Sequence, residues 1–141
     1  MTSTTLAGTP ESVGEARAWL RSVLAFRGVD RETIADAALV LSELASNAVT
    51  HSRSGLPGGT FTVTVHCESC RVRIAVTDDG SRRTTPSSRA QEPSDTSLAE
   101  NGRGLLLVEH HASDWWATLT RDECTVTADI PTARTLAEAT P

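Results

Sequence analysis

Hydrophobic residues recur along this chain in two rhythms, first helical and then alternating. Val13, Ala16, Leu20, Val23 and Leu24 repeat at spacings of three and four, the stripe of an amphipathic helix that begins near Pro10 to Ser12. Ser12 and Glu15 have capping-box spacing, Pro10 suits a first turn, and Arg27-Gly28 ends the run. Asp30 is a good N-cap for a second helix reaching about His51. At about 100° per residue, its Ile34, Ala38, Leu41, Ala45 and Ala48 fall within about 40° of one line. The rhythm then changes. Phe61, Val63, Val65 and Cys67 alternate with polar neighbours, as do Val72, Ile74 and Val76, and Glu68-Ser69 joins the two runs as an antiparallel hairpin. Trp115, Ala117 and Leu119, then Cys124, Val126, Ala128 and Ile130, predict a closing hairpin turned by Arg121-Asp122-Glu123 and ended by Pro131. Residues 1–9 read as a flexible terminus, 10–131 as one folded domain, and 132–141 as a polar tail.

Polar residues inside these patterns carry the chemistry. Glu43 and Asn47 lie four apart, stacked on one face of the second helix, and His51 continues the row one turn later. One reading is a solvated face, the usual state of charged residues. The other is a lined cleft, because Val40, Leu39 and Leu44 make that helix apolar almost all round. Two readings also stand for Asp78. Extending Val72, Ile74, Val76 by two puts its carboxylate on the buried face, which costs several kcal/mol unless something pairs with it. Alternatively the strand ends at Thr77 and Asp78-Asp79-Gly80 is a polar turn.

Ser81 to Asn101 contains eight Ser or Thr and two Pro and shows no apolar period. Loops beyond ~12–15 residues in compact domains tend to be lids or disordered segments. Gly102-Arg103-Gly104 follows and runs directly into LLLVEHHA, a short helix. Glycines entering a helix let backbone N–H groups approach an anion, although on its own the pair reads more readily as plain turn residues.

Composition narrows the field. The chain has 141 residues, no run of ~18 apolar residues, and a start without basic or apolar signal character, so a cytoplasmic protein without a membrane span is expected. All thirteen basic residues are Arg. The absence of Lys excludes a Walker A loop, a lysine Schiff base and the strand lysine of eukaryotic-type kinases. A net charge of −5 argues against direct nucleic-acid binding. Cys67 and Cys70 have metal-knuckle spacing without a second pair, and two reduced thiols flanking a hairpin is the working assumption.

The order of these parts is more specific than any one of them. A helix with Glu43-x-x-x-Asn47, a hairpin ending in Asp78-x-Gly80, a long polar loop, and Gly102-x-Gly104 opening a helix resemble the GHKL ATPase superfamily. The resemblance is nearest to single-domain anti-sigma-factor serine kinases and their actinobacterial relatives, and it covers about residues 10 to 131. It implies an α/β two-layer sandwich of the Bergerat ATP-binding type, with three main helices on one face of a mixed, mainly antiparallel sheet. It implies ATP and Mg²⁺ as cofactors, with Glu43 as general base and Asn47 as ligand to the metal bridging the phosphates. Asp78 would accept the adenine amino group and Gly80 would let the backbone approach the base. Residues 81–101 would be the ATP lid, Gly102, Arg103 and Gly104 would flank the phosphates, and His51 and Thr125 would lie near the nucleotide. One departure is plain: the second glycine of the family's Asp-x-Gly-x-Gly box is Arg82 here.

By the same resemblance, the chain would bind a sigma factor and phosphorylate a serine or threonine on an anti-sigma antagonist, with room for a homodimer. The alternatives are a non-catalytic binding module of the same fold and a detached histidine-kinase-type ATPase domain.

Overall fold

The structure is a computed structural model that describes residues 1–80 and 108–132. Its elements run β1 (Thr2–Ala7), α1 (Pro10–Phe26), α2 (Arg31–His51), a 3-10 turn (Arg53–Gly55), β2 (Thr60–Cys67) and β3 (Arg71–Asp78). Residues 108–111 are helical, and β4 (Asp114–Leu119) and β5 (Cys124–Pro131) close the chain. The five strands form one sheet in the order β1-β2-β3-β5-β4.

Both helices start where local chemistry directs. Asp30 caps α2 twice over, accepting from the Thr33 amide at 3.0 Å and the Thr33 hydroxyl at 2.7 Å, a cap worth ~1 kcal/mol. Pro10 opens α1 as expected, but its N-cap is Thr9, and Ser12 lies buried inside the first turn with its hydroxyl 3.0 Å from that of Thr9. The capping box expected at Ser12 and Glu15 is therefore not formed.

The core lies between the helices and one face of the sheet. Ala16, Leu20 and Leu24 of α1 and Ala38, Leu41, Ala45 and Ala48 of α2 meet Phe61, Val63, Val65, Val72, Ile74, Val76, Val126, Ala128 and Ile130. Each large member contributes ~1.5–3 kcal/mol by leaving water. Val40 and Leu44 are buried too, so α2 is covered on more than its core stripe.

Two expectations are corrected. Residues 1–9 are not a frayed end: Thr2–Ala7 pair antiparallel with β2, and Leu6 packs against the core. Every strand pair among the described residues is antiparallel, so the sheet shows no mixed character there. The sheet face away from the helices carries Thr5, Thr62, Thr77, Thr125 and Thr118 in one row across all five strands. Hydroxyl bonds join Thr5 to Thr62 at 2.9 Å and Thr77 to Thr125 at 2.8 Å. On that same face Arg73 grips the buried Asp129 with two bonds, at 2.7 and 3.0 Å, and holds its carboxyl below the usual carboxylate range.

Candidate functional site

The last turns of α2 and the end of β3 are stitched together at one end of the domain. Directly after α2, the Ser52 hydroxyl donates to the Ala48 carbonyl at 2.6 Å and accepts from the Ser54 amide at 2.9 Å. The buried Ser54 hydroxyl then accepts from the Asp79 amide at 2.8 Å. Between them, the Arg53 amide donates to the Gly80 carbonyl at 2.7 Å and its Nε donates to the Asp79 carbonyl at 2.9 Å. Asn47 and His51 are therefore brought to the same end of the sheet as Asp78.

Asp78 takes the inward reading. It continues β3 in register with Cys124 of β5, on the face that carries Val72, Ile74 and Val76. Its Oδ1 accepts from the Gly80 amide at 2.8 Å. Burial pushes its pKa up to about 6; nearby Asp79 adds to the rise, and the Gly80 and Cys124 amides and Arg53 oppose it. A buried carboxylate held this way suits a ligand that brings a hydrogen-bond donor.

Gly80 has φ +89°, a conformation that strains any residue with a side chain. A Cβ there would also sit 2.9 Å from Arg53 Nη2 and 2.9 Å from the Asp122 carbonyl oxygen. The turn after Asp78 thus depends on glycine for both its dihedral and its space.

Along α2, Asp36, Glu43 and Asn47 share one stripe, since steps of seven and four residues return to nearly the same direction. His111, at the end of the helical residues 108–111, lies with its Nδ1 3.2 Å from Asp36 Oδ1. That helical end therefore meets the stripe at Asp36, and Glu43 and Asn47, farther along it, are partly exposed. Asn47 Nδ2 is buried and has no hydrogen-bond partner among the described residues, a deficit of ~1–3 kcal/mol that a ligand acceptor relieves. His51 is exposed as the last residue of α2.

Thr125 does not join this group. It stands opposite Thr77, bonded to it on the sheet face away from the helices. Cys124, one residue earlier, is the β5 residue that shares a face with Asp78. The alternation of Cys124, Val126, Ala128 and Ile130 already carried that assignment. Gly102, Arg103, Gly104, Arg82 and the expected lid at 81–101 lie outside the described residues. Arg53, Ser52 and Ser54 gave no signal in a Ser/Gly-rich turn sequence.

The residues present fit an adenine nucleotide with a divalent cation. Asp78 offers an acceptor for an exocyclic amine, and Asn47 offers an amide oxygen and an unpaired donor. No cluster of three or more His, Cys, Asp or Glu that would hold a metal occurs among the described residues. The amide oxygen of Asn47 is in keeping with Mg²⁺, which is commonly bound by one or two protein oxygens together with substrate phosphates.

A helix-backed antiparallel sheet with an inward carboxylate at the end of its central strand defines the ATPase sandwich that the sequence resembled. The chain matches the family model of the histidine kinase-like ATPase domain over residues 6–128, and it belongs to that family. Among solved structures, it is similar to a chain of the SiaB–SiaC complex from Pseudomonas aeruginosa, with a TM-score of 0.64 at 17% identity. That likeness covers 92% of this chain and 89% of the other. It is also similar to the structure of the RsbU and RsbW domains of Rv1364c from Mycobacterium tuberculosis, with a TM-score of 0.63 at 22% identity. There it covers 94% of this chain but spans only a third, 33%, of the other. At these identities the likeness shows the fold. No match is found among curated proteins. No helix of the described residues is long and apolar enough to cross a membrane.

Proposed function

We propose that this chain is an ATP-binding regulatory kinase of the anti-sigma type. It takes ATP with Mg²⁺ and transfers the terminal phosphoryl group to a serine or threonine of a protein antagonist. The observation that carries the reading is the inward Asp78 carboxylate, fixed by the Gly80 amide at the end of β3. Adenine presents an exocyclic amine to such an acceptor. Guanine presents a carbonyl there and sets two acceptors against each other, at a cost of ~1–3 kcal/mol, or tenfold and more in affinity.

Asn47 would hold the cation through its amide oxygen, and the cation supplies charge neutralisation at the phosphates. Glu43, one turn earlier on the same stripe, would accept the proton of the attacking hydroxyl, which is general-base work. His51, one turn beyond Asn47 and exposed at the end of α2, would lie near the nucleotide. Gly102, Arg103 and Gly104 would supply amide donors and a guanidinium for the phosphates.

The partners proposed are a sigma factor and an antagonist that receives the phosphate. Support comes from the company similar chains keep: one occurs in a complex of two proteins and another beside an RsbU domain. The test is calorimetric titration with ATP and Mg²⁺ on the wild type and on Asp78→Asn, followed by a transfer assay with a candidate antagonist. Binding that Asp78→Asn abolishes, followed by phosphoserine or phosphothreonine on the antagonist, supports the kinase. Binding to a sigma factor with no nucleotide affinity supports a non-catalytic module instead, and phosphohistidine on a partner supports a detached histidine-kinase domain.

A further inference from the structure

We propose that Arg53 is a positioning residue of the nucleotide site, clamping the Asp78–Gly80 turn between the end of α2 and the β4–β5 turn so that the Asp78 carboxylate keeps one direction. The functional part of this inference rests on the nucleotide reading above; the geometric part does not.

Arg53 makes two bonds to that turn and a third to the β4–β5 turn. The Arg53 backbone amide donates to the Gly80 carbonyl at 2.7 Å, Nε donates to the Asp79 carbonyl at 2.9 Å, and Nη2 donates to the Asp122 carbonyl at 3.3 Å. The first two hold the residues that follow Asp78, and the third reaches across to the β4–β5 turn. Cys124, whose amide donates to Asp78, begins the strand directly after that turn. Arg53 therefore fixes both chain segments that give Asp78 its backbone hydrogen bonds. The missing side chain of Gly80 is what admits the guanidinium, since a Cβ there would lie 2.9 Å from Nη2.

Only a planar fork does this job. Nε and Nη2 point to two carbonyls on two separate turns with one pre-set spacing, whereas a lysine ammonium is a single flexible point charge. The charge has its own effect. Of the groups at this end of the domain, Asp79 raises the Asp78 pKa and Arg53 lowers it. Among the described residues, His51 on α2, Cys124 of β5 and Arg121, Asp122 and Glu123 in the β4–β5 turn are the other titratable residues there. Arg53 thus has two separable contributions, direction through the fork and ionisation through the charge.

Arg53→Lys and Arg53→Gln separate them. The first readout is the carboxyl ¹³C titration of Asp78 in ligand-free protein; the second is ATP·Mg²⁺ affinity on either side of the Asp78 midpoint. In Arg53→Gln the Asp78 midpoint rises by ~0.5 unit or more, and affinity falls roughly tenfold, as for one charge-assisted bond lost. In Arg53→Lys the midpoint stays near that of the wild type while affinity still falls. A role confined to stability lowers the melting temperature and leaves titration and affinity unchanged, and that result overturns the proposal. Should Arg53→Gln not fold, Arg53→Lys decides alone, because unchanged affinity there removes the fork. If the wild type binds no ATP, the nucleotide reading has failed, and the ligand-free titration in Arg53→Gln still decides whether Arg53 governs Asp78.

Discussion

Asp78 and Cys124 face each other across β3 and β5 on the helix side of the sheet, while their neighbours Thr77 and Thr125 bond each other on the far side. A single step in register thus separates the site from the solvent-side threonine row. Thr125→Val is expected to leave nucleotide affinity within about twofold and to cost ~1 kcal/mol of stability, the worth of one hydroxyl bond. Cys124→Leu adds bulk beside Asp78 and is expected to weaken nucleotide binding. Parallel titrations and urea melts check the contrast; the reverse order of effects would place Thr125 in the site.

Two carboxylates give stability opposite slopes with pH. Asp78 is raised from 3.8 to about 6, so the fold binds a proton there more tightly than the unfolded chain. Its contribution is full below about 4 and is lost as pH rises through about 6. Two units at ~1.4 kcal/mol each make that penalty at most ~3 kcal/mol at neutral pH. Asp78→Asn is expected to stabilise the ligand-free protein at pH 7, with the gain vanishing in acid, while ATP binding is lost. Asp129 is held low by Arg73, so its contribution is present above the ordinary carboxylate range and disappears as pH falls through its lowered value. Asp129→Asn should therefore destabilise at neutral pH and converge with the wild type in acid. Denaturant melts across the pH range read both slopes.

Gly80→Ala tests the turn. A side chain at φ +89° costs ~1–3 kcal/mol, and the Cβ must also displace the Asp122 carbonyl or Arg53. The expected result is a lower urea midpoint with an unchanged slope, together with weakened ATP binding. Full retention of both would show that the turn relaxes freely.

Catalysis separates the two polar residues of α2. Glu43→Ala is expected to leave ATP binding nearly intact and to lower phosphoryl transfer ~10²–10⁴-fold. Asn47→Ala should weaken binding and transfer together, because the cation it would hold neutralises phosphate charge in the ground state as well. Calorimetry with a single-turnover transfer assay distinguishes them. Equal loss of binding in both variants would assign Glu43 a structural part in α2.

Much of this was legible because burial imposes a period. The stripe from Ala38 to Ala48 placed α2 correctly, and the alternation through Val76 offered the inward Asp78 as one of two readings, which its register with Cys124 decides. Thr2–Ala7 escaped because an edge strand of small polar residues buries little, so its inward positions Thr2, Thr4 and Leu6 carry almost no hydrophobic signal. Thr125 was carried over by resemblance against the parity of its own strand. Ser12 had a capping sequence, but Thr9 stands earlier and Pro10 fixes the first turn behind it. Arg53 was illegible because its three acceptors are backbone carbonyls, which have no sequence identity.

The connection from β3 to its neighbour β5 skips the whole of residues 79–123, because β4 lies on the outside of β5. The eight register pairs of β3 with β5 are thus made by segments that are distant in sequence. The entropy of closing such a connection grows only with the logarithm of its length, so doubling it costs ~0.6 kcal/mol. A longer or shorter connection between β3 and β4 therefore changes the closure entropy of the sheet only slightly. Descendants of one ancestral domain can then differ in the length of this connection while keeping one strand order.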